Sequence, residues 1–211
     1  MRRLLVAFCS ILVLAACSSS GKKSEGGSSG TTTAESLKAY FAPLPPDPMK
    51  LARDAGLVPE TAERLQYHVH AHLDIFVNGV PKLVPGGIGI RIDDPQVHSG
   101  PVNGYPAYGG ISEPCSTPCI SPLHTHDATG VLHTESATEK DNTLGQLFTE
   151  WDVPLTATCV GTYCKPATPI AIYVDGKPFT GDPQGIDLSD RLEIAIVIGT
   201  PPATIPGDSG L

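Results

Sequence analysis

The sequence predicts a mainly β domain of the α+β type. It would be a compact sheet, sandwich or barrel built from hairpins, with one amphipathic helix near residues 143–152. Three observations carry that expectation. YHVHAHLDIFV, residues 67–77, alternates apolar and polar side chains throughout, the period of a half-buried strand. Asn78-Gly79 and Asp175-Gly176 each separate two apolar runs, the strongest short-range signal for a hairpin. In TLGQLFTEWD, Leu144, Leu147, Phe148 and Trp151 stand at i, i+3, i+4 and i+7, one face of a helix.

The chain opens with Arg2 and Arg3, followed by the apolar run LLVAFCSILVLAA. That run is shorter than the roughly 20 residues a membrane span takes, and it reads as an export signal over residues 1–16. It ends in LAAC, Leu14 to Cys17, which resembles the bacterial lipoprotein signal. The resemblance implies that Cys17 is lipidated with a palmitate-type anchor and becomes the first residue of the mature protein. Cys9 would leave with the signal, and the domain would sit on the extracytoplasmic face of the cell membrane. Residues 17–34, rich in Gly, Ser and Thr and nearly free of apolar side chains, read as a flexible tether. Residues 35–205 then form a single domain, long enough to bury a real core.

Within that domain, residues 35–42 and 48–55 can each make a helical turn or two between prolines. After the strand at 67–77 and its Asn-Gly turn, VPKLV returns, and GGIGIRI, residues 86–92, reads as another strand. Residues 93–122 are rich in Pro, Gly and Ser and read as a long irregular loop pinned by cysteine. LHTHD and VLHTES are strands around a turn. The helix at 143–152 can be capped by Asn142 or Thr143. PIAIYVDGKPF is a second hairpin, and LEIAIVIG is apolar enough for a strand buried on both faces. HLDIFVNGVPKLV and PIAIYVDGKPFTG echo one another, either as a duplicated unit or as two uses of one good hairpin sequence, and only the first carries histidine.

Loss of residues 1–16 removes Arg2 and Arg3 and leaves 12 Lys and Arg against 22 Asp and Glu, a net charge of −10. Nucleic acid is an unsuitable partner for such a surface, because phosphate binding needs a basic face. Four cysteines follow Cys17: Cys115, Cys119, Cys159 and Cys164. An even number in an oxidising compartment predicts disulfides. CSTPC and CVGTYC can each close a local loop, and a cross-link between the two segments is equally allowed. The C-x3-C spacing of CSTPC also resembles the copper site of exported Sco-type chaperones, though the thioredoxin-like context of those proteins is missing. The sequence contains no nucleophile elbow, P-loop or dinucleotide fingerprint, so serine-hydrolase and nucleotide chemistry have no support.

All seven histidines lie between His68 and His133. Strand alternation puts His68, His70, His72 and Asp74 on the face opposite Tyr67, Val69, Ala71, Leu73 and Ile75. Alternate residues on one face stand about 6.6–7 Å apart, from which two imidazoles can converge on one ion. A solvated polar face explains one such histidine, but three in a row and a second His-x-His point to a metal. In the second cluster the register decides. A two- or four-residue turn puts His124, His126, His133 and Glu135 on one face, whereas a three-residue turn with a Gly bulge sends His133 to the other. We adopt the shared face, because it gathers three ligands.

The expected ligands are His70, His72, His124 and His126, with His133 and His68 next, all converging on one ion. Asp74, Asp127 and Glu135 would accept from imidazole N–H groups around them. The only methionines are Met1 and Met49, so a Met-rich Cu(I) site is excluded. Imidazole with some carboxylate suits a divalent transition metal, Zn or Cu foremost.

The segments H-x-H-x-H-L, L-H-T-H-D-x-T-G-x-L-H-x-E-S and T-L-G-Q-x-F-x-x-W together resemble a group of uncharacterised exported prokaryotic proteins across most of residues 65–200. The resemblance implies that the two histidine segments belong together and supplies no activity. Two His-bearing hairpins on a β scaffold are also similar to cupins, but the cupin pattern of a spaced Glu and two Gly-bounded motifs is not matched. The function expected is binding or handling of a transition metal by a membrane-tethered domain. The alternatives are a zinc-dependent hydrolase or lyase with Glu135 or Asp127 as general base, and a metal-free module whose polar face meets a partner.

Overall fold

A computed structural model describes residues 39–211. The expectations for the export signal, Cys17, the tether and residues 35–38 fall outside the described residues.

Eleven strands and two α-helices form among the described residues. Helix α1 is Pro48–Asp54. Strands β1 (Tyr67–Val77) and β2 (Val80–Lys82) follow, then β3 (His98–Val102), β4 (Tyr105–Gly109), β5 (Leu123–His124) and β6 (Val131–Ser136). Helix α2 is Leu144–Glu150, and β7 (Cys159–Val160), β8 (Tyr163–Cys164), β9 (Ile170–Val174), β10 (Lys177–Phe179) and β11 (Glu193–Ile198) complete the chain. The main sheet runs β10-β9-β11-β1-β6-β5, with β2 also paired to β1. It is an open sheet and not a closed barrel. Nor is it built from hairpins alone, because β1 and β11 pair in parallel, from His72↔Glu193 to Val77↔Ile198.

The two faces of β1 have opposite fates, as its period of two dictates. Ala71, Leu73 and Ile75 are each 1% exposed and join one core with Leu132 of β6, Ile194, Ile196 and Ile198 of β11, and Leu144, Leu147, Phe148 and Trp151 of α2. Each fully buried side chain of this size contributes about 1.5–3 kcal/mol. Both helices therefore lie on one side of the sheet, and the even-numbered residues of β1 face the other. The all-apolar β11 is buried along its whole length, as its composition predicts.

Local chemistry sets the helix ends. The Asp47 side chain accepts from the Lys50 N–H at the start of α1, and Pro48 supplies a helix-ready φ. Thr143 caps α2 in a capping box with Gln146, while Asn142 turns away and donates to Thr134 Oγ1 at 3.3 Å. The helical turn expected over 35–42 is not present in 39–42. Tyr40 makes an isolated parallel bridge to Leu83 instead, and Pro43, Pro45 and Pro46 follow.

Two further expectations need correcting. GGIGIRI is not a strand. Gly89 has φ +71, and a Cβ there would stand 2.4 Å from the Leu123 carbonyl, so the segment is glycine-rich to pass close against residues 121–127. Residues 93–122 are not irregular throughout either. β3 and β4 form an exposed hairpin around Asn103-Gly104, with φ of 52° and 83°. Their flanks are Ser, Gly and Pro, which hide the strand pattern.

Cys115 pairs with Cys119 and Cys159 with Cys164, so each disulfide closes a local loop. The cross-link between segments is not made, and a C-x3-C copper site has no free thiolate to use. The first bridge joins Ile90, Val97 and Ile120 in a small second core beneath the loop that leads into β5.

Candidate metal centre

Three strands bring the histidines together. β6 lies between β1 and β5, and His133 pairs with His70 on one side and with His124 on the other. The three side chains form one row across the polar face. Two residues along, Glu135 pairs with His68 and brings a carboxylate to the same face. This is the shared-face register of the second cluster. His126 arrives by another route. After His124 the chain leaves β5, with the Gly87 N–H donating to the Thr125 carbonyl at 2.7 Å and the Tyr108 N–H to the His126 carbonyl at 2.8 Å. The bend carries the His126 ring back over His124.

The result is an array of five imidazoles centred on His133. Its ring is nearly parallel to His124 (centroids 5.4 Å, 9°) and roughly perpendicular to His70 (4.4 Å, 77°) and His126 (4.5 Å, 69°). His68 completes the set, 4.5 Å from His70 and 6.0 Å from His133. Potential ligand atoms of His124, His126, His133 and Glu135 lie within 4.8 Å of one another, and those of His68, His70 and His133 do likewise.

Backbone carbonyls fix the tautomers. His124 Nδ1 donates to the Ser121 carbonyl at 2.9 Å, and His126 Nδ1 donates to the Tyr108 carbonyl at 2.7 Å. In a neutral imidazole the other nitrogen then carries the lone pair. The two Nε2 atoms face each other at 3.1 Å. With both Nδ1 atoms donating, that contact is favourable when a proton or a metal ion lies between the two nitrogens. Burial, reinforced by neighbouring His126, pushes the His124 pKa down to about 3. The separation approaches the roughly 3.3 Å expected of two nitrogens on one tetrahedral ion at 2.0–2.1 Å.

Other groups around the array also lack partners within the protein. His70 Nε2, His133 Nδ1 and Glu135 Oε2 are buried without a hydrogen bond. Glu135 Oε1 stands 3.2 Å from His68 Nε2, 3.4 Å from His133 Nδ1 and 3.8 Å from His124 Nε2, and the His133 contact is not aligned as a hydrogen bond. Burial works against the charged carboxylate, yet the surrounding rings of His133, His124 and His68 outweigh it and hold Glu135 down to about 2. Burial, with His133 and His68, lowers the His70 pKa in turn. The cluster thus sets an ionised carboxylate beside two imidazoles, His124 and His70, whose burial disfavours protonation, and deprotonated imidazole and carboxylate are the forms a divalent metal binds.

His72 is not part of this array, contrary to the expectation that it converges with His70. Its Nδ1 contacts Glu193 Oε2 at 2.8 Å and its Nε2 contacts the Thr129 carbonyl at 2.9 Å. Two acceptors call for two N–H donors, so His72 is an imidazolium with no lone pair to offer. Burial opposes that charge, but Glu193 and the Thr129 carbonyl outweigh it and raise the His72 pKa. Asp74 belongs with His72 and Glu193 rather than with the array. Asp127 is in neither ligand set. Its Oδ1 accepts from the Thr129 N–H at 2.9 Å and from the Thr129 hydroxyl, which commits it to the turn before β6.

Several contributors act through the main chain and leave no side-chain signal in the sequence. They are the carbonyls of Ser121 and Tyr108, and Gly109, where a Cβ would stand 2.3 Å from His126 Nδ1. His98, the seventh histidine, lies on β3 with Nε2 3.1 Å from Ser112 Oγ. It lines a cleft of about 410 Å³ with Glu63, Tyr108, Gly109 and His126, which brings open space to the edge of the array.

Comparison with protein-family models, with curated proteins and with solved structures found no match to this chain.

Proposed function

We propose that this protein is a lipid-anchored, extracytoplasmic domain that binds a divalent transition metal, Zn(II) or Cu(II) foremost, through His124, His126, His133 and Glu135. The observation that carries the reading is the His124–His126 pair, whose Nε2 atoms converge at 3.1 Å while both Nδ1–H groups are tied to main-chain carbonyls. Imidazole and carboxylate donors suit those ions, and hydrogen-bonded second nitrogens are the usual support for histidine ligands. Its location on the membrane rests on LAAC and the polar tether, and the two oxidised cysteine pairs agree with an oxidising compartment.

The test is metal analysis of the mature chain purified from its native envelope without a His tag, followed by calorimetric titration of chelator-treated protein with Zn(II) and Cu(II). Binding at micromolar Kd or tighter is expected, with a loss of at least 100-fold in His124→Ala and in His126→Ala. Metal-free native protein that also fails to bind either ion would favour the partner-binding module. For the anchor, Cys17→Ser should release the protein from the membrane fraction or leave the signal uncleaved, and unchanged partitioning and mass would rule the anchor out.

A second reading, a metal-dependent hydrolase or lyase, is favoured by the cleft that reaches His126. There His124, His126 and His133 would hold the ion, which would supply a water acidified to a pKa of about 7, and Glu135 would be the group placed to accept its proton. Turnover lost in Glu135→Gln with the ion retained is its signature.

A further inference from the structure

We propose that the histidine array is a two-ion centre. One ion is held by His124 and His126, a second by His68 and His70, and Glu135 and His133 stand between them. This rests on the metal-binding reading above and goes beyond it in stoichiometry and in the residues used.

Ligands at about 2.1 Å from one ion are at most about 4.2 Å apart. The array offers five imidazoles and one carboxylate, and their ligand atoms fall into two overlapping sets, each within 4.8 Å. His68 and His70 belong to one set and His124 and His126 to the other, with His133 common to both. One ion therefore leaves two histidines unused on the same face.

The unused pair is itself unsatisfied. His70 Nε2 is buried without a hydrogen-bond partner. His70 is flanked by two rings near perpendicular to it, His68 at 4.5 Å (82°) and His133 at 4.4 Å (77°), and a ring nitrogen of each of the three lies within 4.8 Å of the others. A buried ring nitrogen with no partner in the protein is stabilised only by something the chain does not supply.

Glu135 lies between the two sets. Oε1 reaches both sets, at 3.2 Å from His68 Nε2 and 3.8 Å from His124 Nε2. Oε2 is buried and unpartnered. A carboxylate with one oxygen shared between two nitrogen sets and another left free has the form of a bridging ligand. It also supplies the negative charge that two cations about 3.5–4 Å apart need between them. Asp190 adds charge on the far side, its Oδ1 accepting the His70 backbone N–H at 3.2 Å.

The test counts ions. The untagged mature chain, stripped by chelator and dialysed against Zn(II) or Cu(II), is read by elemental analysis and titration calorimetry. For the Cu(II) form, spin-counted electron paramagnetic resonance is added. Two ions per chain are expected, with a spin count well below two from magnetic coupling. His70→Ala should fall to one ion and give one full, uncoupled Cu(II) signal. His68→Ala reads the same set from a side chain that is 36% exposed, where folding is not at risk. Saturation of the wild-type chain at one ion overturns this proposal and leaves the single-ion function standing. Saturation at none overturns both.

Discussion

His72 and Glu193 face each other in register on parallel strands, and their side chains meet at 2.8 Å between Nδ1 and Oε2. The Glu193 side chain is 1% exposed, so this is an ion pair inside the sheet rather than on its surface. Removing one partner strands the other, at a cost of about 3–5 kcal/mol. His72→Ala is therefore expected to destabilise the protein by that order in denaturant titrations while leaving metal stoichiometry unchanged. Loss of an ion in His72→Ala, with folding intact, would return His72 to the ligand set. The pH dependence has a definite sign. Because the folded pKa of His72 is raised, the pair's contribution is complete below the unfolded value of about 6.5 and is lost as pH rises through the raised value. The variant should lack that part of the alkaline decline.

The ion-free protein is expected to be acid-labile for a separate reason. His124 holds a folded pKa of about 3 against about 6.5 unfolded. Between those values the unfolded chain binds a proton that the folded chain refuses, so stability falls as pH falls. Glu135, held at about 2, adds a loss in the same direction below about 4.5. Calorimetric scans of chelator-treated protein should show Tm dropping steadily from pH 7 to pH 4.5. A flat Tm over that interval contradicts the lowered pKa values of His124 and Glu135.

Gly109→Ala tests the placement of His126 without removing a ligand. The new Cβ would stand 2.3 Å from His126 Nδ1, the atom tied to the Tyr108 carbonyl, and φ at Gly109 is +142°. Metal affinity should weaken by roughly 10–100-fold, the range typical of groups that orient a ligand. Gly100→Ala lies in the same hairpin with nothing within 4 Å of the added Cβ and serves as the matched control. Equal affinities for the two variants would show that His126 is not held where the structure puts it.

The two disulfides should separate stability from binding. Each closes a short loop, and losing either is expected to cost about 2 kcal/mol. Cys119 lies two residues before Ser121, whose carbonyl orients His124, so Cys115→Ser with Cys119→Ser should also weaken metal binding. Cys159→Ser with Cys164→Ser should leave binding unaltered. Thiol titration of the denatured, unreduced wild-type mature chain should find none of the four free.

Much of the β1 face was legible in the sequence, because a period of two states which side chains share a side. Parity also paired His124 with His133 once an even turn was chosen. It could not separate His72 from His70, which look alike at that level. What distinguishes them is Glu193, 121 positions from His72 and brought alongside it by a parallel pairing that no local pattern announces. The same limit hid the strand order β1-β6-β5, which makes His133 the centre of the array rather than its margin. His126 reaches His124 through a bend held by main-chain hydrogen bonds, and the Ser121 and Tyr108 carbonyls that set the tautomers are available at every residue. The β3–β4 hairpin had its Asn103-Gly104 signal but lacked the apolar alternation that would have revealed its strands.

The parallel seam between β1 and β11 also has a kinetic side. β1 is an interior strand of the sheet, and one of its two long edges is satisfied only by a segment more than a hundred positions away. Contacts of such high sequence separation form slowly, since the closure entropy of the whole intervening chain opposes them. Until they form, the main-chain groups of His72, Asp74 and Phe76 lie along an unpaired edge of good strand-forming sequence, a template on which a second molecule can add a strand. Refolding at high protein concentration should therefore lose material to association along β1, and dilution during refolding is the condition that lets β11 arrive before a neighbour does.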